Sequence, residues 1–387
     1  MIPVTLMFLA LLLIGAPVAV AVGGAGFLGA LFASPAPLAT MVQQMLHQVD
    51  SFVLLSFPLF VLAGALMETG GIARRLVDLA IALVGWVRGG LGMAVVVAEY
   101  VFSGISGSTV ADVSAVASTT IPSMVRAGYS REQAVAIVSS ASAMGILVPP
   151  CILMIVIGSI AGLSVAALFA AGFIPAVVLS LALMGHIYLI AGRAGIAVAA
   201  RPSFAEVGRA FARALIPLGM PAIIFGGILG GITTPTEASV IAVLYAAIVG
   251  LFVYREIAWR ELPEILIQAC AVTGSVGLLL ATAGVISWFL TVQQLPAMLV
   301  GLMTVVPGSS LVFLVATALV FIVFGAVVEG LPAVVILLPS LLPVAIQLGI
   351  DPDPLCDRDR RRRGHWPVPA AHRRWPVHCL RHREGAY

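Results

Sequence analysis

The chain has no lysine: all 20 of its basic residues are arginine. A nucleotide-driven pump of the P-loop type needs a lysine on the phosphates, so ATP hydrolysis by that chemistry is excluded. Schiff-base catalysis is excluded on the same ground. Charge of either sign is scarce, at 10% of 387 residues, where a soluble domain carries about a quarter. The four cysteines, Cys151, Cys270, Cys356 and Cys379, are scattered with no CxxC, which gives neither a disulfide framework nor a metal site. What fills the chain instead is apolar: 61% of residues are hydrophobic and the mean hydropathy is +1.14. A soluble core cannot absorb that much apolar surface, so the expectation is an all-α polytopic membrane protein. Nothing marks a nucleic-acid partner.

The charge that exists is unevenly placed. Residues 1–352 hold 11 Arg against 13 Asp and Glu, whereas residues 353–387 hold 9 Arg against 4. Apolar segments are read at about 4–33, 45–68, 132–160, 165–191, 214–232, 236–254 and 266–291, with less regular regions at 92–122 and 310–346. The stretch 76–87 has only 12 residues, about 18 Å of helix against a core of about 30 Å, and is expected to lie along the interface. With the N-terminus cytoplasmic and 92–122 entering and leaving by one face, every arginine of the first 352 residues lies on the cytoplasmic side, as positive charge should. That orientation requires 92–122 to be a re-entrant hairpin. Its middle reads Ser103-Gly104-Ile105-Ser106-Gly107-Ser108-Thr109, with Asp112 a turn later. Small and hydroxyl residues at that density break a membrane helix, and broken backbone at membrane depth is tolerated only where it lines a cavity or is buried in protein.

A shift of 221 residues places Gly104 on Gly325, Pro122 on Pro343 and Gly128 on Gly349. Gly64 meets Gly284 at a shift of 220, and 76–87 meets 296–307. Segments 45–68 and 266–291 run in opposite directions in the expected topology. The halves are therefore expected to be inverted repeats, a common plan of secondary transporters.

Several strings carry a resemblance: FPLFVLAGALMETGGIARRL (57–76), FSGISGSTVADVSA (102–115), GILVPPCI (145–152), GGITTPTEASV (230–240) and GAVVEGLPAVVILLP (325–339). The chain resembles the large membrane subunit of tripartite ATP-independent periplasmic (TRAP) transporters, the DctM-like family. The resemblance implies a sodium-coupled importer of organic acid anions (dicarboxylates, sialic acid or related) in a bacterial inner membrane. It implies an elevator-type, ion transporter superfamily-like fold with two re-entrant hairpins. It also implies two partners, a small DctQ-like membrane subunit and a periplasmic substrate-binding protein. No cofactor is implied beyond Na⁺ as coupling ion.

Candidate site residues follow. Ser103, Gly104, Ser106, Gly107, Ser108 and Thr109 form the first hairpin tip, rich in the oxygen ligands a hard cation prefers; the alternative is close helix packing through small residues. Asp112 is an acid inside the membrane, a costly placement, with bracing of the hairpin as its alternative. Gly145, Val148, Pro149 and Pro150 belong to an expected unwound stretch, since two prolines remove donors and free carbonyls one turn back; a kink is the alternative. Thr233, Thr234, Thr236 and Glu237 form a second candidate cluster, although Thr234-x-x-Glu237 also fits a capping box. Gly325 and Glu329 mark the second hairpin. His47 and His186, near segment ends, read as interfacial. The pattern Gly104-x-Ser106-Gly107 also fits an intramembrane serine protease, but His186 is the one histidine available as its base. A stand-alone sodium/anion symporter is a third reading.

The expected organisation is N-terminal scaffold helices (1–75), an interfacial arm (76–91), a first repeat (92–191, hairpin 92–122), a cytoplasmic linker with scaffold helices (192–265), a truncated second repeat (266–352, hairpin 310–346) and an aberrant basic tail (353–387). That tail is expected to be a frameshift product. An arginine at the bilayer centre costs about 2.5–3.5 kcal/mol, so the tail cannot complete a second repeat. Read one base out of frame, it admits apolar sequence around a Gly-Leu-Phe-Leu-Pro-Pro string, at the spacing from Pro343 that GILVPP keeps from Pro122. The single Trp codon makes Trp366-Pro367 and Trp375-Pro376 both yield glycine in that frame. The alternative is a basic tail on anionic lipid. Resequencing around codon 352 is expected to find the shift; an intact frame, with relatives sharing the tail, would refute it.

Overall fold

Chain-breaking residues divide the apolar runs more finely than their lengths suggest. The computed structural model describes residues 2–33, 37–106, 109–194, 196, 200–304, 309–327 and 330–350; Gly107, Ser108, Glu329 and the tail lie outside them. The helices are α1 (Ile2–Leu13), α2 (Val18–Ala33), α3 (Leu38–Val49), α4 (Ser56–Thr69), α5 (Ile72–Val84), α6 (Gly90–Ser106), α7 (Thr109–Arg126) and α8 (Arg131–Ala143). They continue as α9 (Ile152–Ala161), α10 (Val165–Ala194), α11 (Phe204–Leu229), α12 (Pro235–Ile248), α13 (Leu262–Val292), α14 (Leu295–Thr304), α15 (Ser309–Val327) and α16 (Gly330–Gln347). Among the described residues there is no strand. Among the described residues six helical stretches are long and apolar enough to cross a membrane: 52–69, α10, α11, 235–253, α13 and α16. The protein is a multi-pass membrane protein.

Two expected segments are each divided. Residues 4–33 are not one span: Pro17 has no N–H for a continuing helix, and α1 and α2 fold against one another. Residues 45–68 are interrupted between α3 and α4, where Asp50 and Ser51 leave the helix and a 3₁₀ turn follows at Phe52–Leu55.

The longest helix, α13, is about 46 Å long at 1.5 Å per residue and packs against α2, α3, α4 and α16. Close approach depends on small residues. A Cβ on Gly26 of α2 would stand 3.3 Å from the Ile286 backbone nitrogen, the contact that lets helices pack without a hydrophobic driving force. The buried faces of α4 and α6, with α8, α9 and α12, enclose a second apolar cluster that includes Phe60, Met67, Val96, Ile155 and Ala242.

The short helix expected at 76–87 is observed as α5, four residues earlier, so Arg74 and Arg75 stand inside its first turn rather than before it. Ile72, Leu76, Leu79 and Ala80 form its buried face, while Arg74, Asp78 and Leu83 are exposed. Glu256, beyond α12, fixes the start. Arg75 Nη2 donates to Glu256 Oε1 at 2.7 Å and Arg74 Nη2 to Oε2 at 3.1 Å. The Arg75 guanidinium also lies 3.6 Å from the Tyr254 ring centroid and donates to the Gly71 carbonyl at 2.7 Å. Gly71, at φ 69°, places the turn directly on the Glu256 carboxylate, where a Cβ would collide.

Two helices related by the shift of 221 end alike. Helices α7 and α16 are both 18 residues long, and both of their ends differ by 221 (330 − 109 and 347 − 126). Both end in the same hydrogen-bond pattern. Tyr129 N–H donates to Met124 O at 3.1 Å and Gly128 N–H to Val125 O at 3.1 Å. The partners at 350, 345, 349 and 346 repeat this at 3.0 and 3.1 Å. Gly128 and Gly349 both take the left-handed φ (104° and 75°) that this cap requires. Each helix pairs with its predecessor, α7 with α6 and α16 with α15.

Gly71 and Gly128 share a positive φ, but no neighbour lies within 4 Å of a Cβ on Gly128. Gly128→Ala is expected to cost about 1 kcal/mol of backbone strain, and Gly71→Ala about 2 kcal/mol or more, because Glu256 must also move. Thermal unfolding in detergent measures both; equal losses would remove the Arg–Glu256 clamp as a constraint.

Candidate functional site

The best-defined irregular backbone lies between α8 and α9. Helix α8 opens on a capping box, Gln133 N–H donating to Ser130 Oγ at 3.2 Å and Ser130 N–H to Gln133 Oε1 at 3.1 Å. It runs regularly to Ala143, tightens into a 3₁₀ turn at Met144–Ile146 and resumes only at Ile152. The cause is local: Pro149 and Pro150 lack the N–H groups that a continuous helix would direct at the Gly145 and Ile146 carbonyls. Gly145, Val148, Pro149, Pro150 and Cys151 are all buried. The carbonyl end of α8 and the N–H end of α9 therefore both border this buried stretch. The first end favours a cation and the second an anion.

The second half of the chain reaches this break. Helix α16 packs on α9, and a Cβ on Gly330 would stand 3.9 Å from Ile146 Cδ1. Helix α6 packs against the 144–146 turn. Ser103, Gly104 and Ser106 occupy the last turn of α6, and Thr109 and Asp112 the start of α7; Gly107 and Ser108 lie outside the described residues, as does Glu329. Gly325, in α15, is exposed with nothing within 4 Å of a Cβ there.

The cluster 233–237 is held differently. Glu237 N–H donates to Thr234 Oγ1 at 3.3 Å, while Thr234 N–H and its hydroxyl donate to Glu237 Oε2 at 2.7 and 2.9 Å. Both residues are exposed, and together they cap α12. Thr236 Oγ1 donates to the Phe52 carbonyl at 3.3 Å, tying the start of α12 to the 3₁₀ turn before α4, a turn that also packs on α9. The Thr233 hydroxyl is buried without a hydrogen-bond partner among the described residues. His47 and His186 are exposed, and no group of three His, Cys, Asp or Glu among the described residues is arranged to hold a metal ion.

Sequence reasoning missed Glu99. It is fully buried in α6, and Ser142 Oγ, equally buried in the last turn of α8, donates to its Oε1 at 2.6 Å. The signal was present: Glu99 is a lone acid in the run Met-Ala-Val-Val-Val-Ala-Glu-Tyr-Val-Phe, as costly there as Asp112.

The family model for the tripartite ATP-independent periplasmic transporter, DctM component, matches residues 5–356. The chain belongs to the DctM family. It is 39% identical over 330 residues to the C4-dicarboxylate TRAP transporter large permease protein DctM of Pseudomonas aeruginosa, covering 85% of this chain and 77% of that one. It is 36% identical over 312 residues to the 2,3-diketo-L-gulonate large permease of Escherichia coli, covering 81% and 73%. It is 33% identical over 349 residues to the ectoine/5-hydroxyectoine large permease of Ruegeria pomeroyi, covering 90% and 82%. A family of transporters removes the serine-protease reading of Gly104–Gly107. It does not fix the cargo, since these relatives are named for chemically different ones.

The capping geometry of this DctM-family chain generates a test. Thr234→Ala is expected to cost about 1 kcal/mol of stability, read as a lowered melting temperature in detergent. Glu237→Gln, which keeps an acceptor for Thr234, should cost less; a larger loss from Glu237→Gln would mean that its charge serves something other than the cap.

Proposed function

We propose that this chain is the large permease subunit of a three-component importer in a bacterial inner membrane, its N-terminus cytoplasmic. A sodium gradient drives uptake of an organic acid anion. A periplasmic binding protein delivers the anion, and a small membrane subunit completes the membrane part. The observation that carries this reading is the buried Pro149-Pro150 interruption beside the start of α16. Non-helical backbone inside a membrane protein is retained where it binds something. Carbonyls of Gly145, Ile146 and Val148 would supply the oxygen ligands sodium requires, with the hydroxyls of Ser103, Ser106 and Ser108 as further candidates. Family membership and the matched caps of α7 and α16 support inverted repeats whose paired helices are re-entrant hairpins. Movement of the loaded site between the two faces would then transport without covalent chemistry.

The family match, which runs to residue 356, supports reading the basic tail as foreign to the second repeat. Transport is therefore best measured in a chain whose frame is restored after codon 352. Reconstituted with its two partners, it is expected to take up organic acid in sodium medium and not in choline medium. Pro149→Ala with Pro150→Ala, which returns two helical donors, should reduce sodium-dependent uptake by tenfold or more. Equal uptake in both media would remove the coupling, and uptake without either partner would favour a stand-alone symporter.

A further inference from the structure

A carboxylate buried in a membrane protein is costly unless it is well partnered, and Glu99 stands within the apolar cluster shared by α6, α8 and α9. Its 2.6 Å contact with Ser142 Oγ lies in the range of an O–H bond to a carboxylate. Ser142 occupies the last turn of α8, and the 3₁₀ turn begins two residues later, at Met144. From α10, Ser180 Oγ stands 3.7 Å from the Met144 sulfur and 2.8 Å from the Ala176 carbonyl. The end of α8 is thus held on one side by a strong polar bond and on another by a weak one. How that last turn is rotated decides where the Gly145 and Ile146 carbonyls point.

We propose that Glu99 is a positioning residue for the break, orienting the Gly145 and Ile146 carbonyls toward a sodium ion through its hydrogen bond from Ser142. The inference rests on the reading of this break as a cation site. It differs from direct ligation, because Ser142, whose hydroxyl Glu99 holds, is on the neighbouring helix. Glutamine keeps an acceptor for that hydroxyl, whereas leucine and the Ser142→Ala change both remove the bond. A direct ligand would show the reverse order, since its charge would matter and Ser142 would not.

The break itself supplies a reporter, because Cys151 follows Pro150 and is buried at 3% exposure. The full chain, with Cys270, Cys356 and Cys379 replaced by serine, is purified in detergent. Modification of Cys151 by a small methanethiosulfonate is followed while sodium replaces choline at constant ionic strength. Sodium should slow the modification saturably. Ser142→Ala and Glu99→Leu should each raise the half-saturating sodium by about tenfold, Glu99→Gln by no more than about threefold, and the Ser142→Ala/Glu99→Leu pair no further than either alone. Melting temperatures identify any variant that fails to fold; Ser142→Ala and Glu99→Gln suffice to decide. Equal shifts from Glu99→Gln and Glu99→Leu with none from Ser142→Ala would make Glu99 a ligand and overturn the positioning role. Sodium protection with no shift in any variant would overturn the inference and leave the cation site standing. No sodium effect on the unsubstituted break would overturn both.

Discussion

Inside hydrocarbon every backbone N–H and C=O must find a partner within the protein, and almost everything in this chain is arranged around that constraint. A continuous helix satisfies it without help. Each interruption is therefore an expense that the surrounding structure has to offset, and the interruption at 144–151 is offset by burial on several sides. Helix α6 covers the 3₁₀ turn, α10 braces Met144, and α16 approaches Ile146 from the other half of the chain. The 3₁₀ turn before α4 and the capped start of α12 extend this arrangement, joined through the Thr236–Phe52 hydrogen bond.

Helices α7 and α16 solve the same local problem with different side chains. Helices α7 and α16 have few residues in common, yet both stop at a left-handed glycine with the same pair of cap hydrogen bonds. Backbone geometry imposes the glycine, and it persists while the apolar residues around it drift. That explains why a shift of 221 is visible at Pro122, Gly128 and their counterparts and almost nowhere between them. Pro149-Pro150 has no counterpart among the described residues of the second half.

Legibility followed the same division. Prolines and glycines punctuate the chain, so the break at 145–150 and the capping box at Thr234 were readable from residue types. The division of 4–33 was signalled by Pro17 but masked by uniform hydropathy on both sides of it. The division of 45–68 depends on Asp50 and Ser51, polar residues that turn a chain only when tertiary contacts favour it. The start of α5 was misplaced because its determinant, Glu256, lies 181 positions from Arg75. Glu99 stood out locally as a lone acid in an apolar run, but its contact with Ser142, 43 positions away, left no local mark.

Those long-range polar pairs divide the labour between rigid and responsive parts. The Arg74–Arg75–Glu256 clamp ties the corner between α4 and α5 to the segment joining α12 and α13, at a place where both arginine side chains still reach solvent. Exposed ion pairs contribute little stability by themselves, but here Gly71, the Tyr254 ring and the Gly71 carbonyl restrict the same guanidinium. The clamp thus fixes the angle at which α5 leaves α4. The Glu99–Ser142 bond lies instead in the interior, between the helix that follows the arm and the broken helix. The first joint holds a corner near the surface; the second holds the end of α8 beside a stretch that is not a continuous helix. Glu99 reaches the last turn of α8, just before the break, through the Ser142 hydroxyl.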